Sequence, residues 1–412
     1  MNFLIYILTS LKVLFVFFAL PHLSQPSMYS DIVNVFHEKG HQVYPMAPTR
    51  NGEKKSFVST EKGINVLRIK TKDVFSKNLI QKGIANVLLP YQFKNAFVKY
   101  WKETSPDLII VATPSVMFAD FVAFAKRRTH AKVLLLQKDI FPQNAVDLGF
   151  MKKESFIYKF FKKHEIRLLK TADKIGCTSE GNKSYLLKHY PYLKKENLGV
   201  VYNSTKLLDK DFDKSTIKDK YDIAGKFVVV FGGNMGKPQQ LENVLKLARS
   251  TSVYKNVIFL IIGSGTEVDA LRREAQSMEL SNILFVDKVP RKDYFNLLAN
   301  CNLGLISLHQ DFTVPNTPMK LNDYLNAGLP VLASIDRSND LGTILVENNI
   351  GKFAFADSPD KLFERFNEFY LNQEECKKIG RNGYEFCTKY LSIEKCYQTI
   401  TELLNDAQVI RR

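Results

Sequence analysis

Short apolar runs typical of buried parallel strands alternate with helix-like stretches along most of the chain, and this alternation limits the fold more than any other feature. Such alternation predicts a mostly parallel sheet covered by helices on both faces. A polar stretch at residues 203–220 interrupts the pattern, which then restarts. The predicted strands are residues 12–18, 43–46, 108–112, 133–137, 175–178 and 198–202, then 227–231, 257–262, 283–286, 303–308 and 330–333.

The restart predicts two α/β domains of similar size. A chain of 412 residues is too long for one ordinary core, because domains hold roughly 100–200 residues each. We expect one Rossmann-like domain over residues 1–205 and a second over 206–390, with a C-terminal helix at 391–412. Ligands of open parallel sheets bind beyond the carboxyl ends of the strands, so we expect the active site in a cleft between the two domains.

The apolar N-terminus has two interpretations. A signal peptide or a membrane anchor is one, but Lys12 interrupts the apolar run and no small-residue cleavage site follows Pro21. We interpret residues 12–18 as the first buried strand and residues 1–11 as an extension ahead of it.

The net charge of +16 predicts an anionic partner. Nucleic acid is disfavoured, because the sequence contains no RGG run, zinc finger or RNP-like strand. An anionic membrane surface and a phosphate-bearing substrate remain. The five cysteines form no CxxC pair, which argues against a zinc site and against a disulfide framework.

A glycine-rich segment, FGGNMGKPQQ at residues 231–240, follows the first strand of the second half. Glycine lets backbone N–H groups approach a phosphate, a following helix N-terminus favours anions, and Lys237 adds a positive charge. A tight turn that needs glycine only for steric reasons has the same sequence pattern. The second glycine loop, residues 263–265, favours this turn interpretation, and Gly263 stays a candidate phosphate contact.

The segment PNTPMKLNDYLNAGLPV at residues 315–331 predicts a loop, a helix, a glycine cap and a buried strand. Lys320 and Asp323 are three residues apart and so share one face of that helix. They would offer a cation to a phosphate and a carboxylate to sugar hydroxyls. A solvent-exposed ion pair is the alternative.

This segment resembles the signature of family 4 glycosyltransferases, P-S-K-L-x-E-Y-L-A-A-G-K-P-V, with Asp323 in the Glu position. GGNMGKPQQLENVL resembles the phosphate loop of that family, QKDIFP at residues 137–142 its acceptor-side segment, and KGHQV at residues 39–43 its strand entry. The residues that match the signature are Pro318, Lys320, Leu321, Tyr324, Leu325, Ala327, Gly328, Pro330 and Val331.

The resemblance implies a GT-B fold, in which two Rossmann-like domains face each other across a cleft and the last helix returns to the first domain. It also implies a retaining, metal-independent transfer, without a cofactor, from a nucleoside-diphosphate sugar, and the donor expected for this chain is a UDP-sugar. The implied acceptor is a lipid-diphosphate-linked saccharide in capsule, O-antigen or exopolysaccharide assembly. Such an enzyme would be cytoplasmic and peripheral on the inner face of the cell membrane.

Site roles follow from the resemblance by position. Asp323 would hold the ribose hydroxyls, Lys237 and the Gly233–Gly236 backbone the diphosphate, and Asp139 would orient or deprotonate the acceptor hydroxyl. Asp139, Lys237 and Asp323 are thus the implied catalytic residues. The other implied donor contacts are Gly233, Asn234, Met235, Gly236, Gly263, Pro318, Lys320 and Leu321, and the other acceptor contacts are Ser24 and Gln25.

The chain departs from the family pattern at several positions. Pro315 stands where the family has an earlier Glu, Asn234 and Gln239 where it has Arg and Lys, and Lys138 where it often has His. Residues 24–27 replace its Gly-Gly pair. A catalytically impaired sugar-nucleotide-binding partner and a GT-B nucleotide-sugar epimerase therefore remain alternatives. A dinucleotide-dependent oxidoreductase is disfavoured, because no GxGxxG follows the first strand.

Residues 151–170 predict a basic amphipathic helix, which is a membrane-surface signal. The alternative is that its apolar face packs on its own domain. Aromatic and basic residues at 93–102 form a second candidate. The first helix has a basic stripe of Lys152, Lys159, Lys163, Arg167 and Lys170 beside Ile157, Phe160, Phe161, His164 and Leu168; the second has Phe93, Phe97, Tyr100 and Trp101 with Lys94, Lys99 and Lys102.

Overall fold

The computed structural model describes residues 10–49, 53–74, 79–208 and 220–405, so most of the extension predicted at residues 1–11 lies outside the described residues. The chain divides into two compact units. The first comprises Met1–Val146, Met151–Tyr202 and Ile393–Arg412, and the second comprises Asp147–Phe150 and Asn203–Ser392.

The first unit contains an eight-stranded sheet of order β3-β4-β2-β1-β5-β6-β7-β8. All its pairs are parallel except the antiparallel hairpin β3–β4, which the sequence patterns did not predict. The strands are β1 Lys12–Val16, β2 Gln42–Pro48, β3 Phe57–Glu61, β4 Ile64–Ile69, β5 Leu108–Ala112, β6 Lys132–Gln137, β7 Lys174–Cys177 and β8 Leu198–Val200.

Helices cover both faces of this sheet. Strand β1 shows why residues 13–16 are all apolar: Leu14 and Val16 lie in the core on one face, and Val13 and Phe15 lie in the core on the other. The described α-helices of this unit, apart from the C-terminal one, are α1 Met28–Glu38, α2 Leu79–Tyr100, α3 Ala119–Thr129, α4 Gln143–Asp147, α5 Phe156–Thr171 and α6 Glu180–His189. The last residue of α4, Asp147, is assigned to the second unit.

The second unit contains a six-stranded, all-parallel sheet of order β11-β10-β9-β12-β13-β14. Its strands are β9 Phe227–Asn234, β10 Val257–Ser264, β11 Ile283–Asp287, β12 Leu303–Ser307, β13 Val331–Ile335 and β14 Gly351–Phe355. Its described α-helices are α7 Glu242–Ser250, α8 Val268–Ser277, α9 Arg291–Leu298, α10 Lys320–Asn326, α11 Leu341–Glu347, α12 Pro359–Tyr370 and α13 Gln373–Phe386.

The last described helix, α14 Ile393–Asn405, packs in the first unit. Ile400 and Leu404 belong to the same core cluster as Phe36 of α1. The hydroxyl of Tyr397 lies 2.8 Å from Nε2 of His41, and its ring meets Phe36 edge-on at 4.9 Å. Apolar burial and a partly buried polar contact therefore hold α14 against α1.

Two expectations about membrane-facing helices are wrong. Phe93, Phe97 and Trp101 are buried in the core, so α2 turns its other face outward. Helix α5 begins at Phe156, so Lys152 precedes the helix and does not belong to its basic stripe. Among the residues that the structure describes, no helix is both long and apolar enough to cross a bilayer.

Candidate functional site

The carboxyl ends of β9 and β10 approach each other very closely. Gly233 pairs with Gly263 in the parallel ladder, and a Cβ atom on Gly263 would lie 1.9 Å from the carbonyl oxygen of Gly233. Gly263 also has a φ of +143°. Glycine at this position is therefore required by backbone contact alone.

The segment at residues 231–240 is a strand end followed by a short turn. Gly233 and Asn234 belong to β9 and are exposed, and Lys237–Gln239 forms a 3₁₀ turn. Gln240 has a φ of +42°, and α7 begins only at Glu242. The glycines thus do not lead directly into the N-terminus of α7. The first turn of α7 also carries the acidic residue Glu242, which is itself favoured by the helix dipole.

Lys320 brings a cation to the exposed backbone of Gly233. Its Nζ donates a hydrogen bond to Oε1 of Gln239 at 2.5 Å and lies 4.8 Å from the ring centre of Phe231. Its Cε is 3.7 Å from the point where a Cβ of Gly233 would stand. Burial lowers the pKa of Lys320 to about 8, while Asp323 acts in the opposite direction.

The ion-pair partner of Asp323 is Arg291 of α9. Nη2 of Arg291 lies 3.4 Å from Oδ1 of Asp323, whose side chain is only 17% exposed. Burial raises the pKa of Asp323 to about 6, and Arg291 and then Lys320 oppose this shift. No local pattern of the sequence indicated Arg291, because the pair joins residues 32 positions apart.

A buried tyrosine fixes the helix that carries Lys320 and Asp323. The hydroxyl of Tyr324 accepts a hydrogen bond from the backbone N–H of Gly232 at 2.9 Å and donates one to the carbonyl of Leu305 at 3.1 Å. A Cβ on Gly304 would lie 2.5 Å from the Tyr324 ring. Helix α10 is therefore attached to both β9 and β12.

The loop before α10 is held from several sides. The backbone N–H and the hydroxyl of Thr313 bind the carboxylate of Asp147, at 2.8 Å and 2.9–3.0 Å. Nδ2 of Asn203 donates to the carbonyl of Thr317 at 2.9 Å, and Nδ2 of Asn322 donates to the carbonyl of Asn203 at 2.6 Å. Pro315, which replaces the expected Glu, is buried in this loop.

The other predicted donor residues divide into two groups. Met235, Gly236, Pro318 and Leu321 are buried. Lys237 is exposed and lies against the segment 147–150, with its Nζ 5.5 Å from the ring centre of Phe150. Among the described residues, the cation beside Gly233 is thus Lys320, and the cation beside Asp323 is Arg291. Lys237 lies beside Phe150 instead.

On the acceptor side, Asp139 follows the end of β6 in the first unit. Its backbone N–H donates to the hydroxyl of Thr113 at 3.0 Å, and Nε2 of Gln137 donates to its carbonyl at 2.8 Å. Burial raises the pKa of Asp139, and neighbouring Lys138 opposes the shift. Burial also raises the pKa of Tyr29, and the charge of Asp139 adds to that shift.

Ser24 and Gln25 lie exposed in the loop between β1 and α1. Oγ of Ser24 is 2.7 Å from Nδ1 of His22, and the backbone N–H of Gln25 donates to the carbonyl of His22 at 2.8 Å. Among the described hydrogen bonds, none joins either side chain to Asp139.

Comparison with known proteins gives consistent matches. Residues 29–207 match the family model described as Glycosyltransferase Family 4, and residues 213–386 match Glycosyl transferases group 1. The chain is 22% identical over 345 residues to the probable glycosyltransferase WbjE of Pseudomonas aeruginosa, covering 80% of this chain and 83% of that protein.

Two further similarities concern a lipid-linked substrate and a nucleotide sugar. The chitobiosyldiphosphodolichol beta-mannosyltransferase of Dictyostelium discoideum is 28% identical over 254 residues, which cover 61% of this chain and 46% of that protein. The structure of HepE from Anabaena in complex with UDP-glucose superposes with a TM-score of 0.70 at 14% identity, covering 96% of this chain and 99% of that one.

Replacing Tyr324 by Phe should destabilise the second unit by about 1–3 kcal/mol, because the buried N–H of Gly232 would lose its acceptor. Urea unfolding measures the change. Tyr254→Phe is the control, since the Tyr254 hydroxyl donates only to the Asn367 side chain in a half-buried position and its loss should cost less. Equal stability of Tyr324→Phe and the native chain would contradict the role given to this hydroxyl.

Proposed function

The chain belongs to the family 4, group 1 glycosyltransferases, and from this premise we propose a retaining, metal-independent transfer from a nucleoside-diphosphate sugar, a UDP-sugar, to a lipid-linked saccharide. The GT-B fold predicted from the sequence is confirmed. The proposed sugar is a hexose or an acetamidohexose, and the proposed setting is the assembly of a bacterial surface polysaccharide such as capsule, O-antigen or exopolysaccharide.

The observation that supports this proposal most strongly is the arrangement of Lys320, Asp323 and Arg291 at the carboxyl end of β9. The exposed backbone of Gly233 leaves room for a diphosphate beside Lys320. Fixed positive charge there lowers the barrier, because negative charge builds up on the diphosphate as the sugar carbon–oxygen bond breaks. Asp323 is the acceptor for the ribose hydroxyls, and Arg291 helps to keep it ionised.

Asp139 supplies the second half of the proposed chemistry. A carboxylate of raised pKa is a better proton acceptor than an ordinary aspartate, so Asp139 can orient the acceptor hydroxyl or take its proton as the new bond forms. Thr113 and Gln137 hold its backbone in place. Lys237 is proposed as an additional phosphate contact.

We place the protein in the cytoplasm, at the inner face of the membrane. The net charge of +16 favours anionic lipid, and the similarity to a dolichol-diphosphate enzyme favours a lipid acceptor. Phe156 is 86% exposed at the start of α5, next to the exposed side chains of Ile157 and Lys159. Lys163 is exposed further along, Phe160 is half-buried, and Arg167 binds Asp120.

Helix α2 adds a second exposed apolar surface. Ile84, Val87, Tyr91 and Val98 lie on one face at helical spacing, and Tyr91 is 61% exposed. This face is opposite the buried Phe93 and Phe97. Helices α2, α3 and α5 contact one another in order on one side of the first sheet, so both apolar patches belong to one layer.

Donor affinity should be bell-shaped in pH. The Asp323 carboxylate is lost as the pH falls through about 6, and the Lys320 charge is lost as the pH rises through about 8. Calorimetric titration with UDP-glucose, whose diphosphate diester does not titrate near neutrality, should therefore show the tightest binding between these values. Lys320→Arg should remove the alkaline limb, because arginine stays protonated.

Asp323→Asn should remove the acidic limb of that profile and weaken binding by about tenfold or more, the cost of a hydrogen bond to a charged group. UDP release from a panel of nucleotide sugars tests turnover with the same proteins. A pH-independent affinity, or an Asp323→Asn variant that binds like the native chain, would contradict the proposed donor site. Binding without UDP release would support the impaired-partner alternative instead.

The exposed apolar residues should determine membrane attachment. Val87→Asp with Tyr91→Asp, or Phe156→Asp with Ile157→Asp, should reduce co-sedimentation with vesicles of anionic phospholipid, because a carboxylate resists transfer into the interface. The control is Val253→Asp with Leu371→Asp, at exposed apolar residues of the second unit. If both test pairs sediment like the native protein, the membrane proposal fails.

A further inference from the structure

The first unit contains a cavity of about 310 Å³, and of the residues given a role above only Gln25 lines it. It lies beyond the carboxyl ends of β1 and β2, between the β1–α1 loop and the β3–β4 hairpin, and we call it the hairpin pocket. Its walls include His22, Gln25, Thr49, Phe57, Ser59 and Glu61. Small-molecule sites have volumes of about 300–1,000 Å³, so the pocket has room for one small ring.

A buried ion pair makes one wall of the hairpin pocket rigid. Nε and Nη2 of Arg68 bind the two carboxylate oxygens of Glu61 at 2.9 and 2.7 Å. Arg68 also donates to the carbonyls of Leu20 and Pro21 at 2.6 and 3.0 Å, and Glu61 accepts the N–H of Leu23 at 2.9 Å. The hairpin thus fixes the β1–α1 loop, and a preformed pocket binds without an ordering cost.

The charges of the hairpin pocket disfavour an anionic ligand. Although burial opposes it, the hydrogen bonds from Arg68 and Leu23 hold the pKa of Glu61 below its usual range, so this carboxyl stays ionised. Its charge and that of Arg68 cancel, and Glu53 adds a further carboxylate at the wall. His22, half-exposed and 3.9 Å from Glu61, is the other titratable group facing the pocket. A diphosphate would therefore meet more negative than free positive charge.

The remaining wall matches an uncharged sugar. Gln25, Thr49 and Ser59 present an amide and two hydroxyls that can both donate and accept hydrogen bonds. Phe57 is 38% exposed, although an aromatic side chain at a strand position normally packs away from water. A pyranose ring has both features that this wall complements, hydroxyls on its edge and an apolar C–H face.

We propose that the hairpin pocket binds an uncharged pyranose of the saccharide acceptor, with Phe57 against the ring face and Gln25 and Ser59 bound to its hydroxyls. This inference rests on the proposed function and makes it more specific. The diphosphate of the acceptor lies outside this pocket. Glu61 and Arg68 are positioning residues that hold the loop carrying Gln25.

The test is saturation-transfer NMR of the full-length protein with N,N′-diacetylchitobiose and the methyl glycosides of glucose, galactose, mannose and N-acetylglucosamine. At least one of these sugars should bind, and Phe57→Ala should weaken that binding by about tenfold. Val58→Ala is the matched control. Val58 is the next residue of β3, equally exposed at 40%, and its side chain points to the opposite face of the strand. It should bind the sugar like the native chain.

Gln25→Ala, in the exposed loop, is a second test variant, and it leaves the hairpin intact. It should also weaken the binding of the sugar. The proposal is overturned if none of the five sugars binds, if Phe57→Ala and Gln25→Ala bind as tightly as the native chain, or if inorganic diphosphate displaces the sugar. UDP-glucose titration of the same samples separates this result from the proposed function. Failure of the donor to bind the native chain would overturn the transferase assignment of the donor site, whereas a failed sugar test with normal donor binding would overturn only the hairpin pocket.

Discussion

The proposed donor site depends on the buried hydroxyl group of Tyr324. Tyr324 accepts the N–H of Gly232 and donates to the carbonyl of Leu305, so it joins α10 to two neighbouring strands at once. The ring fits there because position 304 has no side chain. Since Lys320 lies one turn before Tyr324 and Asp323 directly before it, this attachment, together with the hydrogen bond from Asn322 to Asn203, sets the position of both charged groups relative to the end of β9.

The charged groups at this site are held by other groups of the protein. Lys320 and Asp323 are half-buried, and burial moves the pKa of each toward neutrality, to about 8 and about 6. Gln239 and Phe231 surround the ammonium group, and Arg291 pairs with the carboxylate. Burial removes part of the hydration of a charged group. Such a group therefore binds an oppositely charged or hydrogen-bonding ligand strongly, because the ligand replaces the lost hydration.

Sequence patterns predicted the two parallel sheets because a strand buried on both faces contains a continuous apolar run, as at residues 13–16 of β1 and 227–231 of β9. They missed the β3–β4 hairpin, whose edge strand β3 is exposed along most of its length. They also missed Arg291, because ion pairs between distant helices have no local signature. Spacing placed Phe93 and Phe97 on one face of a helix, but it could not decide whether that face or the one carrying Tyr91 is buried. Which face is buried depends on the side chains of the sheet and of the neighbouring helices against which α2 packs.

A structure of the protein with a UDP-sugar bound tests the central claim most directly. The account predicts the diphosphate between the backbone of Gly233 and the Lys320 ammonium group, which would exchange its bond to Gln239 for a phosphate oxygen, and the ribose hydroxyls on Asp323. A nucleotide bound away from α10, with Lys320 still on Gln239 and Asp323 touching only Arg291, would contradict it.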